Sequence, residues 1–125
     1  MKSRRSCAAW VAAALLLSTG VRADASLGAQ AEISYLLAEV AKSNCEFYRN
    51  GSWYTAARAA VHLRDKYAAR IVAARVVTAD DFIEVVATRS SFSGIAYAIS
   101  CPGVATVPSS QWFKERLTAY RQALG

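Results

Sequence analysis

Two cysteines, Cys45 and Cys101, limit the shapes open to this chain more than any other feature. The third cysteine, Cys7, lies in an N-terminal stretch laid out like an export leader. Lys2, Arg4 and Arg5 give that stretch a basic start. Cys7 to Leu17 form an apolar run, and Ser18 to Ala25 are mostly small. Cleavage after Ala23 and cleavage after Ala25 both fit the small-x-small pattern. The run is well short of the roughly 20 residues that span a bilayer, so removal is expected rather than retention as an anchor. Arg4-Arg5 admits a twin-arginine route, but Cys7 stands where such signals carry a bulky apolar residue, which favours the general route. Once Cys7 leaves, an even pair remains in an oxidising compartment, which predicts one Cys45–Cys101 disulfide. A bridge over roughly 56 residues contributes about 4 kcal/mol on the loop-entropy model. A catalytic thiol is the alternative, and neither cysteine is flanked by histidine.

The leader also distorts the charge balance. The 125-residue chain has 15 Lys and Arg against 9 Asp and Glu, a net charge of +6. Lys2, Arg4, Arg5 and Arg22 leave with residues 1–23 and no acid does, so residues 24–125 keep 11 basic against 9 acidic groups, a net +2. No dense basic stripe is left, and nucleic-acid binding is not expected. Residues 24–125 are the size of one domain, too short for a dinucleotide-binding fold or a barrel, with enough spaced apolar residues for a core.

Hydrophobic spacing organises that domain. Ala29, Ile33, Leu36, Leu37, Val40 and Ala41 share one face of a helix from about Leu27 to Ser43. Residues 45–54 read as a turn region around Asn50-Gly51. Ser52 caps a second helix, about Trp53 to Arg75, whose predicted core face is Trp53, Ala56, Ala57, Ala60, Leu63, Tyr67 and Ile71. Thr78 with Asp80 and Asp81 starts a third, with Phe82, Val85, Val86 and Arg89 inward. Ser90 to Gly94 is a polar loop, and Ile95 to Ser100 alternates as a short strand, paired with Val104 to Val107 or with nothing. Ser109-Ser110 open a last helix over Gln111 to Ala123. The expected fold is mainly α: a small four-helix domain with a minor β-hairpin or short strand, stapled by one disulfide.

A few residues stand out chemically. His62, the sole histidine, lies beside Arg58 and Lys66, whose charges disfavour its protonation. With one imidazole and both thiols oxidised, no metal site or other cofactor is expected. Arg64 falls near the predicted apolar face of the second helix. It either pairs with Asp81 or Glu84 or faces a cleft, waiting for an anion. Ser90, Ser91 and Ser93 either cap the third helix or offer hydroxyls to a ligand. Phe47, Tyr48, Trp53 and Tyr54, with Arg49 among them, seal the core or form a binding surface, Tyr48 and Tyr54 being the expected exposed pair. No Gly-x-Ser-x-Gly elbow is present.

The residues Cys45-Glu46-Phe47, Asn50-Gly51, Trp53-Tyr54, Ala57, Ala60, His62-Leu63-Arg64 and Lys66-Tyr67, followed by Phe82-Ile83, Ala87-Thr88, Ser90-Ser91, Ser93-Gly94, Tyr97, Cys101 and Trp112, resemble the YfeK-like family. That family consists of small exported bacterial proteins with a domain of unknown function. The resemblance covers about Ile33 to Tyr120. It implies a periplasmic or secreted protein of Gram-negative bacteria and supplies no activity. Relatives carry a Lys-Pro-like pair after the loop glycine, where this chain has Ile95-Ala96.

The leading expectation is a non-catalytic periplasmic or secreted module that binds a small anionic ligand or an envelope partner. Its expected surface is Arg64, Lys66, Ser90, Ser91 and Ser93 with His62, flanked by Tyr54 and Tyr97. One rival is a small hydrolase pairing His62 with Ser91 or Ser93. Another is a structural envelope-associated protein held through the aromatic turn. No stable membrane insertion is expected once the leader is gone, and oligomeric state is left open.

Overall fold

The structure, a computed structural model, describes residues 25–125. The leader expectation over residues 1–23 lies outside them. Helix α1 (Leu27–Lys42) begins where the Ser26 hydroxyl accepts the Ala29 amide. Its buried face is Ala29, Ile33, Leu36, Leu37 and Val40, as the spacing predicts; Ala41 is exposed.

The Asn50-Gly51 region departs from expectation. It is the turn of a hairpin between β1 (Glu46–Arg49) and β2 (Ser52–Thr55). Both turn residues have positive φ, 49° and 88°, which Asn and Gly tolerate best. Thr55 then caps α2 (Ala56–Val72), so the helix starts after Trp53-Tyr54 rather than at them. Thr78 caps α3 (Ala79–Asp81), as the sequence predicts, and the Asp81 carboxylate accepts the Thr78 amide in return, which completes a reciprocal capping box. The chain continues into a π-helical segment, Phe82–Ala87, that buries Phe82, Ile83, Val86 and Ala87. Arg89, expected inward, is exposed and pairs loosely with Glu84. Strands β3 (Ala98–Ser100) and β4 (Val107–Pro108) precede α4 (Ser109–Leu124).

All strand pairs are antiparallel, in the order β2-β1-β3-β4. The chain is therefore a mixed α/β fold with a four-stranded sheet, not a mainly α four-helix domain with a minor hairpin. The reason is physical. A strand of two to four residues has too little alternation to announce itself, and the β1–β3 pairing that joins the two local hairpins brings together segments far apart in the chain.

Phe82 and Phe113 are fully enclosed and meet edge to face with ring centroids 6.0 Å apart, joining the π-helical segment to α4. Tyr67 of α2 also packs edge-on against Phe82, with ring centroids 5.5 Å apart. Cys45 and Cys101 are disulfide-bonded, fastening the start of β1 to the end of β3. No helix among the described residues is long and apolar enough to cross a membrane.

Candidate functional site

Strand register builds one wall of the site. Phe47 lies opposite Tyr54 on one side and Ile99 on the other, so the three share a face. Alternation along each strand adds Arg49 and Tyr97 to that face. An arginine is thus placed beside Phe47 and Ile99, two core residues.

Helix α2 supplies the facing wall. Arg58, His62, Lys66 and Arg70 recur every fourth residue and form one stripe. Each turns to a particular partner. The Arg58 guanidinium lies over the Tyr54 ring, 5.4 Å from its centroid. His62 Nε2 is 3.3 Å from the Tyr97 hydroxyl. Lys66 donates to the Arg89 carbonyl at 2.7 Å and to the Tyr97 hydroxyl at 3.3 Å. Arg70 donates to the Ser91 hydroxyl at 2.8 Å.

Between the walls is a cavity of about 450 Å³. Its lining includes Phe47, Tyr48, Arg49, Tyr54, Arg58, Val61, His62, Leu63, Asp65 and Tyr97. This size is ordinary for a small-molecule site. Arg49 Nε is buried and has no hydrogen-bond partner. Arg49, Arg58, Lys66 and Arg70 take part in no ion pair among the described residues, whereas Arg121 holds both Glu32 and Asp80.

The unbalanced charge shows in the titrations. Burial lowers the His62 pKa below its ordinary value, and Arg49 and Lys66 lower it further; Asp65 opposes them. Lys66 is pushed down to about 8, first by burial and then by Arg70 and Arg49. Burial raises Tyr97, with Arg49 working the other way. Because Lys66 already donates to the Tyr97 oxygen, the Tyr97 proton is free to point at a neutral His62 Nε2. Ammonium, phenol and imidazole then form one donor chain.

The sequence-predicted site divides in two. His62, Tyr54 and Tyr97 line the cavity, and Lys66 reaches the Tyr97 hydroxyl from beyond its lining. Arg64 does not: it is exposed, with neither Asp81 nor Glu84 as partner. The true core face of α2 is Ala59, Ala60 and Leu63, rotated toward the His62 side, which turns Arg64 outward and leaves Ala57 and Ile71 exposed. Ser90 is buried, and its hydroxyl accepts the Phe92 and Ser93 amides and the Asn50 side-chain amide. Ser93 donates to Asn50 Oδ1. These two serines tie their loop to the hairpin tip and do not line the cavity, while Ser91 meets only the end of the α2 stripe. Neither Ser91 nor Ser93 is hydrogen-bonded to His62, the contact a hydrolase of that design requires. Tyr48 and Tyr54 are half-buried, and Trp53 is the exposed member of the aromatic turn at 47%.

Sequence reasoning named Arg49 only within the aromatic turn and Arg58 only as a neighbour of His62, and did not bring either, or Asp65, into the proposed ligand surface. The available signal was Asn-Gly between two four-residue runs, since a hairpin there puts Arg49 on the face of Phe47. Among the described residues no group of three or more His, Cys, Asp or Glu side chains is placed to hold a metal ion.

Comparison with known proteins gives one family. No curated protein and no solved structure matches the chain. Residues 28–121 match the model described as "Family of unknown function (DUF5329)", and the chain belongs to that family.

Proposed function

We propose that this protein is an exported, non-catalytic binding module whose cavity takes a small anionic ligand. The observation that carries the reading is Arg49: a guanidinium on a core-facing strand position, its Nε buried without a hydrogen-bond partner, and no carboxylate paired with it. A buried polar group left open in this way costs stability unless something completes it. Lys66 and Arg70 add to the same uncompensated charge, and Tyr97 and His62 offer polar atoms beside it. The leader pattern, the disulfide and the resemblance to YfeK-like exported proteins support a periplasmic or secreted setting.

Nuclear magnetic resonance of the arginine Nε–H groups and the tyrosine rings tests the binding reading, with acetate as probe and chloride as the ionic-strength control. A saturable shift at Arg49 and Tyr97 with acetate, lost in Arg49→Gln, is the expected result. Shifts that follow ionic strength alone, with acetate and chloride equivalent, contradict it. N-terminal sequencing of protein recovered from the periplasm tests export, the expected first residue being Asp24 or Ser26.

A further inference from the structure

The charge count around the cavity narrows the ligand class beyond "anionic". The charged lining residues are Arg49, Arg58 and Asp65. His62 is neutral near pH 7, because burial and the neighbouring cations disfavour its protonation. Lys66 and Arg70 lie outside this lining, donating to the Arg89 carbonyl and Tyr97 hydroxyl and to Ser91; the lining itself carries a net single positive charge, and Asp65 opposes a second negative one. The remaining wall is largely apolar: Phe47 and Leu63 are buried against it, and Val61 and the Tyr54 ring complete it. At ~30 Å³ for each water displaced, the space equals about 15 waters. That is far more than an inorganic anion fills. An arginine fork matches a planar carboxylate with two parallel hydrogen bonds, which gives orientation as well as affinity.

We infer that the cavity accepts an amphiphilic monocarboxylate, its head on Arg49 beside Tyr97 and its apolar body against Phe47, Val61 and Leu63. This rests on the anion-binding reading and names the substrate class of that same site. The chemistry is shared by a free medium-chain or aromatic acid and by a peptide that ends in an apolar residue with a free carboxylate. Each buried methylene adds about 0.8 kcal/mol, so body and head contribute separately and can be separated by experiment.

Calorimetric titration of the purified wild-type protein with octanoate, 1-octanol and acetate makes that separation. The expected result is octanoate binding at least about tenfold more tightly than either of the others, since the alcohol lacks the charge-assisted bond and acetate lacks the chain. Arg49→Gln is expected to bring octanoate down to the level of octanol; the wild-type ranking decides the question even if that variant does not fold. Acetate as tight as octanoate, and dependent on Arg49, overturns the amphiphile while leaving the anion-binding reading standing. Octanol as tight as octanoate overturns both, as does the absence of binding by all three. A dipeptide ending in Leu, compared as free acid and as amide, separates the sources. Binding of the free acid more tightly than octanoate assigns the head to a chain terminus, and weaker binding assigns it to a free acid; equal binding of acid and amide overturns the monocarboxylate.

Discussion

His62 and Tyr97, 35 residues apart in sequence, meet with Nε2 and the hydroxyl oxygen 3.3 Å apart. The contact joins the middle of α2 to the sheet and defines the polar end of the cavity. It requires a neutral imidazole if the phenol donates, and the surroundings favour that form. An imidazole titration midpoint below the ordinary 6.5 is therefore expected by proton resonance. Arg49→Gln should raise it, though not fully to the ordinary value, because burial is the larger cause. The sign for stability follows. With the folded value depressed, the unfolded chain binds more protons between the folded midpoint and 6.5. Stability should fall as pH drops through that window, an effect that denaturation curves at pH 5 and 7 will show and that His62→Gln should flatten.

Lys66 gives the opposite end of the pH range. Its ammonium titrates at about 8 in the fold against 10.5 in the unfolded chain. Between those values the unfolded state holds more protons, so this residue makes stability rise with pH. Its side chain is only half-buried, and solvent screening reduces the effect. Comparing the pH slope of stability from 8 to 10.5 in wild type and Lys66→Met isolates the contribution. A smaller slope in the variant is expected; equal slopes would place the lysine in ordinary solvent.

The disulfide closes a separation of 56 residues. Cys45→Ala with Cys101→Ala should lower stability by about 4 kcal/mol on the loop-entropy model, less any native strain released. Chemical denaturation of oxidised wild type and the double variant measures the difference.

Asn50 connects two turns distant in sequence. Its side chain donates to Ser90 Oγ at 3.2 Å and accepts from Ser93 Oγ at 2.5 Å, while its own φ is 49°. Asn50→Gly keeps the backbone freedom and removes both bonds; Asn50→Ala removes the bonds and adds backbone strain. The glycine variant should lose about 1–2 kcal/mol, and the alanine variant more. Thermal unfolding of the pair separates the two causes.

The helices were legible in the sequence because their signals are local. Ile33, Leu36, Leu37 and Val40 recur at helical spacing, and Thr78 and Asp81 stand in capping positions. The sheet was hidden because its strands are short and the aromatic residues of β1 and β2 look like a sealed turn. Missing the hairpin had two consequences. It hid Arg49, whose inward direction follows only from strand alternation next to Phe47. It also extended α2 to Trp53, which skewed the apolar face and made Arg64 look inward. His62 and Lys66 were recoverable from the i, i+4 stripe, whereas their partner Tyr97 depends on tertiary structure.

The account turns on Arg49 serving a ligand rather than the fold, and Arg49→Leu reads this most directly when melting and octanoate binding are measured on the same samples. Replacing a half-buried charge whose Nε is buried and unpartnered with an apolar side chain should leave the unliganded protein as stable as wild type, or more so by about 1 kcal/mol, while octanoate binding is lost. A variant that melts well below wild type, or one that still binds octanoate as tightly, would show that Arg49 belongs to the scaffold and not to a binding site.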